Sequence, residues 1–413
     1  MDSKKKKKIV NDPVYGFIKI PSELVFDLIE HRYFQRLRRI RQLGLTYLVY
    51  PGAIHSRFQH ALGAMYLMET AIEVLRSKGH EITQYEAESA IIAILLHDIG
   101  HGPFSHTLEK SLCPDVSHEF ISLLFMQKMN KEFDGKLSTA IEIFQGKHPK
   151  KFLHQLVSSQ LDVDRLDYLK RDSFFTGVSE GVISTDRIIK MLEVVNDSLV
   201  VESKGIYSIE KFLIARRLMY WQVYLHKTSI AADQMLIGIL KRARELAEKG
   251  EVLFCTPALN VFLYEKIEKK NFSDENNESL LEVFSLLDDE DILASIKVWA
   301  SHSDFVLSYL CNGLLNRKLF SIRLQKQPFE TEEIERIQNL VKNKFLLDDQ
   351  AISYLVCTGS ASNNAYYPDE EKINILNSNG ELNDIASASD MFNLSVIGKT
   401  EKKYFLCFPK GIL

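Results

Sequence analysis

Nothing in the cysteine pattern of this chain can hold it together. Its five cysteines, at 113, 255, 311, 357 and 407, are scattered and form no CxxC pair. That excludes a disulfide framework and a zinc knuckle, and it points to a reducing compartment. Long apolar runs are missing too: Ala90 to Leu96 is seven residues, too short to span a bilayer. The lysines at 4 to 8 are followed by no apolar segment of the secretory kind. Charge of one sign is also lacking. Lys plus Arg number 51 against 55 Asp plus Glu, a net charge of −4, so general affinity for nucleic acid or for a membrane is not expected. Internal repeats and low-complexity segments are absent apart from the lysine run, which reads as a solvated arm or, more sharply, an anion contact. A soluble, cytoplasmic globular protein is expected, and 413 residues allow one large domain or two.

What is present is mostly helical periodicity. It predicts helices over 59–78, 83–97, 118–131, 137–145 and 150–172, then one long helix over 208–249. Further helices fit 258–269, 278–287, 290–300, 303–316 and 330–343. Ile9 to Ile20 alternates around a turn signal and predicts a hairpin or extended arm, and Ser22 reads as a helix cap. Tyr33 to Leu43 predicts a helix ended by Gly44, with the basic residues from Arg32 to Arg41 as a solvated face. Strands are expected at Ser198 to Val201, Gly205 to Tyr207, Leu319 to Arg323, Ile352 to Cys357 and Tyr404 to Phe408, with a polar loop over 359–368. The fold class is mainly α: a helical domain over 1–325, opened by an arm over 1–20, and a smaller α+β lobe over 326–413.

The chemistry gathers around Ala90 to His106. Seven apolar residues run into His97-Asp98, and His101 and His106 follow. A carboxylate beside an imidazole at the end of an apolar helix needs something to offset its burial. A divalent metal would do so; a hydrogen-bonded core histidine is the plainer alternative. Gly100, Gly102 and Pro103 break the helix and let the backbone approach a ligand. Upstream, Arg57 and His60 lie three apart on one helical face. Downstream, Asp164, Tyr168 and Asp172 recur every four residues and share a sector of roughly 80°. By the same arithmetic Arg216, Tyr220, Tyr224 and Lys227 fall on one stripe, where tyrosines alone would read as core.

His60, His97-Asp98 and Asp164 reproduce the H…HD…D pattern of the HD-domain metal phosphohydrolases. Longer strings agree: Ile9 to Pro13, Phe34 to Arg38, His55 to His60, His97 to His106, Asp162 to Tyr168 and Tyr224 to Lys227. Together they resemble the deoxynucleoside triphosphate triphosphohydrolases, in the branch that includes the animal enzymes with a sterile-alpha-motif domain. The likeness covers about residues 8–325, and no such extra domain fits ahead of Lys8.

The resemblance implies an HD-type helical core and one divalent ion (Mn, Fe, Mg or Zn) on His60, His97, Asp98 and Asp164. It implies His106 and His118 near the scissile bond, supported by Glu109 and Glu119, with Glu109 standing where the family often has Asp. Arg57, Arg165, Arg216 and Lys227 would face the triphosphate; Gln42, Leu43, His101, Tyr168, Asp172, Tyr220 and Tyr224 are further substrate-binding residues. It implies a homo-oligomer, tetramer or dimer, with an activating nucleotide between subunits at Lys8, Val10, Asn11, Glu30, Gln35, Arg38, Phe58 and Arg317. Glu30 replaces an aspartate that reads guanine, and Ser321 a phosphate-binding lysine, so a different base preference is expected.

The function expected is hydrolysis of a dNTP to deoxynucleoside and tripolyphosphate. Two alternatives stay open. One keeps the metal and changes the substrate, to a phosphodiester, a monophosphate or a nucleic-acid end. The other is a catalytically idle nucleotide-sensing scaffold. A monophosphate would not need so many cations, and no GYP string accompanies the HD pair.

Overall fold

The computed structural model describes residues 8–104, 111–273, 278–363, 366, 372–389 and 401–413. Two short strands open it, β1 (Ile9–Asp12) and β2 (Gly16–Lys19), paired antiparallel as Ile9↔Lys19 through Asp12↔Gly16. Helix α1 (Glu23–Glu30) follows, its N-terminus capped by Ser22, whose Oγ accepts from Val25 N at 3.2 Å.

The helical core is built around α2 (Arg57–Ser77) and α3 (Gln84–Leu96). A reciprocal pair starts α3: Glu86 N donates to Thr83 Oγ1 at 3.1 Å, and Thr83 N to Glu86 Oε2 at 2.8 Å. From Ala90 to Leu96 every residue of α3 is buried. A helix apolar all round must be sheathed on every side. Here α2, α5 (Ser138–Phe144) and α6 (Lys151–Val157) do so, while α4 (His118–Glu132) packs beyond the end of α3. Helix α7 (Val163–Thr176) lies along α2.

Several sequence expectations are corrected here. The single helix over 150–172 is two, α6 and α7, because Ser158 is extended and Asp162 starts a new helix by accepting from Arg165 N at 2.7 Å. The helix over 208–249 is interrupted as well. It runs as α8 (Ile206–Met219), a π-helical turn at Tyr220–Tyr224, and α9 (Lys227–Glu248), with His226 capping α9. Gly205 to Tyr207 is not a strand but the start of α8. The helix over Tyr33 to Leu43 shrinks to Arg32–Gln35 and a 3-10 turn at Arg36–Arg39.

Nor is that segment's basic face wholly solvated. Arg36 is fully buried and donates to the carbonyls of Ile99, His101 and Leu287. Ile352 to Cys357 is mostly helix, Asp349–Leu355, since burial of Ala351, Ile352 and Leu355 follows helical spacing. The strand starts only at Cys357 and runs to Asn363, into the expected polar loop.

Among the described residues, three small sheets complete the fold. One is the β1–β2 hairpin. Strands β3 (Leu192–Val195) and β4 (Ser198–Glu202) join β7 (Asn374–Leu376) and β8 (Leu382–Asp384), with β4 and β7 parallel. In the third, β9 (Glu401–Phe408) lies between β5 (Ser321–Gln325) and β6 (Cys357–Asn363). The second and third sheets therefore pair strands from before 325 with strands after it. The β6–β9 sheet packs on the π turn and on the end of α8: Lys403 Nζ lies 3.9 Å from the Trp221 ring centre, and Glu401 pairs with Arg217 of α8 at 3.7 Å. Among the described residues, no helix is long and apolar enough to cross a membrane.

Candidate metal centre and nucleotide cavity

The end of α3 explains how the centre is placed. His97 caps the helix, and its Nδ1 faces the Ile94 carbonyl at 2.6 Å. Ser122 of α4 then ties the turn, donating to His97 O at 2.7 Å and accepting from Gly100 N at 2.9 Å. Gly100 is required by closeness: a Cβ there would stand 2.2 Å from His118 O and 2.3 Å from Ser122 N. Helix α2 contributes His60, whose Nδ1 lies 2.7 Å from Asp167 Oδ2. With both Nδ1 atoms engaged, both Nε2 atoms are turned toward one point.

There they meet the two aspartates. His60 Nε2 is 3.0 Å and His97 Nε2 3.5 Å from Asp164 Oδ1. Asp98 lies 3.2 Å from His97 Nε2 and 3.8 Å from His60 Nε2. The four side chains expected as ligands thus converge. Neither Nε2 makes a well-directed hydrogen bond, although both are buried. Burial works against charge on Asp164, but His60 and His97 outweigh it and hold the carboxyl well below its usual range. Conversely, burial disfavours an imidazolium at His60, yet Asp164 and Asp167 raise its pKa to about 10. A pocket that retains a proton so strongly has the potential to hold a cation in its place. Two imidazoles and two carboxylates with unengaged lone pairs fit a divalent metal.

Asp98 also accepts from Arg57 Nη1 at 2.5 Å and lies 3.2 Å from His101 Nε2. The His101 ring stacks on that of His118, with centres 3.8 Å apart. Asp98, His101 and His118 form a second group of ligand atoms close enough to share an ion. Ser117 caps α4, and His118, its first residue, faces inward. Glu119 points outward and pairs with His118 at 3.2 Å. His106 and Glu109 lie outside the described residues.

A cavity of 520 Å³ extends from this centre. Arg57, Asp98, His101, His118, Asp164 and Arg165 line one part, and Gln42, Leu43, Tyr168, Asp172, Tyr220 and Tyr224 another. Asp172 is clamped from both sides: His55 Nε2 lies 2.7 Å from Oδ1, and the Tyr224 hydroxyl donates to Oδ2 at 2.8 Å. Tyr224 stands edge-to-face against both Tyr168 and Tyr220. Burial is the main reason the Tyr168 and Tyr224 hydroxyls titrate far above their usual value.

Two expected members stand apart. Arg216 is buried beside Tyr168, with Nε and Nη1 lacking acceptors, but it does not line the cavity. Lys227 is exposed at the start of α9, because the π turn and the break after it remove it from the stripe.

Sequence reasoning missed Arg41, Thr46, Phe104, Leu225 and Asp233 on the cavity wall. Asp289 sets two of them, accepting from Phe104 N at 3.1 Å and Arg41 N at 3.0 Å. No local pattern could have signalled a partner some 185 positions away from Phe104. His55 and Asp167 lie within the strings that carry the resemblance, which gives them no role.

The residues expected to bind a second nucleotide are partly grouped. Arg38 lies over the Phe58 ring at 3.6 Å and donates to Gln35 Oε1 at 2.8 Å. Lys8 Nζ sits over the Phe26 ring, Val10 and Asn11 are on β1, and Glu30 is exposed at the end of α1. Arg317 instead donates to Leu48 O at 2.7 Å.

Comparisons with known proteins bear on the family. A model of the HD domain matches residues 57–172, and one of an HD-associated region matches 183–252. An uncharacterised Bacillus subtilis protein, YwfO, is 33% identical over 98% of this chain and 93% of its own length. A crystal structure of a phosphohydrolase from Bacteroides thetaiotaomicron is 54% identical, covering 98% of this chain and all of that one, with a TM-score of 0.95. A Dictyostelium discoideum homologue of the deoxynucleoside triphosphate triphosphohydrolase SAMHD1 is 32% identical over 61% of this chain. The chain spans 52% of that relative's length.

Proposed function

This chain belongs to the HD-domain phosphohydrolases, and from that premise we propose that it hydrolyses deoxynucleoside triphosphates to deoxynucleoside and inorganic tripolyphosphate. The observation that carries the reading is continuity. One cavity joins Asp98 and Asp164, whose carboxylates meet the His60 and His97 rings behind them, to the cations Arg57 and Arg165 and to the Tyr168–Asp172–Tyr224 group. Relatives named as dNTP triphosphohydrolases support the same substrate class.

A divalent ion bound by the four side chains would supply positive charge to the α-phosphate and a more acidic water. The chain's own residues do the rest. Arg57 and Arg165 neutralise charge spread over the phosphates, which is most of what phosphoryl transfer asks of a protein. His118, its ring stacked on that of His101 at the cavity wall, moves a proton near the leaving oxygen, a role His106 shares, while His101 contacts the substrate. Asp172, held by His55 and Tyr224, accepts from a 3′-hydroxyl. The Tyr168 and Tyr224 rings fill the space a ribose 2′-hydroxyl would need, a steric selection worth a few kcal/mol. We extend the proposal to an oligomer, dimer or tetramer, with an activating nucleotide placed where Arg38, Gln35 and Phe58 are grouped.

The experiment incubates purified protein with each dNTP and rNTP, singly and mixed, with Mn, Mg or Fe, and separates the products. Tripolyphosphate from dNTPs alone is expected, and turnover only in mixtures would reveal activation. Pyrophosphate or orthophosphate as first product would refute the proposal.

A further inference from the structure

We propose that Asp167, Arg171 and Asp12 are positioning residues of the metal centre, a buried relay that fixes His60 from the N-terminal hairpin inward. The inference rests on the reading of His60 as a metal ligand.

The links are continuous. His60 Nδ1 lies 2.7 Å from Asp167 Oδ2. Arg171 grips both oxygens of Asp167, through Nε at 2.9 Å and Nη2 at 3.1 Å. Its remaining nitrogen, Nη1, donates to Asp12 Oδ2 at 2.8 Å. Asp12 Oδ1 in turn accepts from Val14 N at 2.9 Å and Tyr15 N at 3.0 Å, which closes the turn between β1 and β2. His60, Asp167 and Arg171 are wholly buried, and Asp12 is 4% exposed.

Charge and shape both indicate a built device. Two buried carboxylates face one guanidinium, so Asp167, Arg171 and Asp12 together carry one excess negative charge. Buried ion pairs are tolerated only when each member is engaged. A planar fork is the group that can hold one carboxylate with two nitrogens and still reach a second. Helix α2 leaves room for that fork by having Gly63 at this height. A Cβ there would stand 2.0 Å from Asp167 Oδ1 and 2.2 Å from Arg171 Nη2. With Nδ1 committed to Asp167, the His60 ring cannot flip, and Nε2 stays turned to the site. The hairpin therefore belongs to the metal centre although Asp12 and His60 are far apart in sequence.

The test is titration of the metal-free full-length protein with Mn(II), followed by electron paramagnetic resonance. Asp12→Asn keeps the Oδ1 acceptor that closes the turn and removes the acceptor for Arg171. Its Kd for Mn should rise about tenfold, at the low end of the range for altered outer partners of a metal ligand. Phe17→Ala, on the exposed side of the same hairpin, should leave Kd unchanged and controls for loosening of the strand. Arg171→Lys and Gly63→Ala should both weaken binding, and they carry the test if Asp12→Asn does not fold. Folded variants that bind Mn as the wild type does overturn the relay alone. A wild type that binds no Mn overturns the relay and the metal reading beneath it together.

Discussion

The Tyr224 hydroxyl donates to Asp172 Oδ2 at 2.8 Å, linking the π turn after α8 to the last turns of α7 across the cavity. The two residues belong to the separate stripes that the sequence suggested, and the hydrogen bond fixes the carboxylate to which we assign the sugar's 3′-hydroxyl in the proposed reaction. Tyr224→Phe removes a hydrogen bond to a charged group, worth about 1.5–3 kcal/mol. A fall of roughly ten- to hundredfold in kcat/KM for dNTPs is expected, at the 1.4 kcal/mol per decade of a rate ratio. Comparing dNTPs with 2′,3′-dideoxy analogues checks the cause. Asp172→Asn should lose much of the wild-type preference for a 3′-hydroxyl. An unchanged preference would place sugar recognition elsewhere.

Gly100→Ala should cost about 1–3 kcal/mol of stability, the usual range for overpacking. The new methyl would meet the backbone of α4 at His118 O and Ser122 N, which cannot yield as a flexible side chain can. Thermal denaturation reads the loss. Because His118 must shift with its helix, kcat should fall as well, and a variant with wild-type Tm and kcat would contradict the packing described.

Acid should loosen the attachment of α9 to the C-terminal segment through Glu245. Burial raises the pKa of this carboxyl, but hydrogen bonds from Lys249, Tyr354 and Arg242 outweigh it and bring it down to about 2 from 4.5. A folded-state value below the unfolded one means that the ionised form favours the fold. The contribution is therefore complete above pH 4.5 and is lost as pH falls toward 2. Urea denaturation of wild type and Glu245→Gln at pH 7 and at pH 3 tests this. The wild type should be the more stable at pH 7, with the gap narrowing at pH 3; a gap that widens in acid would reverse the sign.

How far the sequence discloses all this depends on where each residue's partner lies. His97 and Asp98 stand out as candidate ligands because an imidazole and a carboxylate at the end of a buried apolar helix need something to offset their burial, Asp164 and Asp172 recur at helical spacing, and His60 joins them through the HD pattern that the chain resembles. The mainly helical class is legible for the same reason, since periodicity is local. What escapes is whatever depends on distant partners. Arg36 looks like one more surface cation, yet backbone carbonyls at 99, 101 and 287 let it be buried. Asp12 and Arg171 are 159 residues apart, and nothing near either predicts the contact. The stripe from Arg216 to Lys227 fails at Lys227 because an inserted π turn changes the phase, which helical arithmetic cannot foresee. The run at Ile352 fits strand and helix equally until burial of its apolar residues decides it.

The most direct measurement pairs metal content with product identity in wild type and His97→Ala. Metal-free wild-type protein given one equivalent of Mn should bind it and release tripolyphosphate from a dNTP, while His97→Ala should stay folded, bind Mn much more weakly and give background turnover. A folded His97→Ala protein that retains both the ion and the full rate would contradict the assignment of the centre.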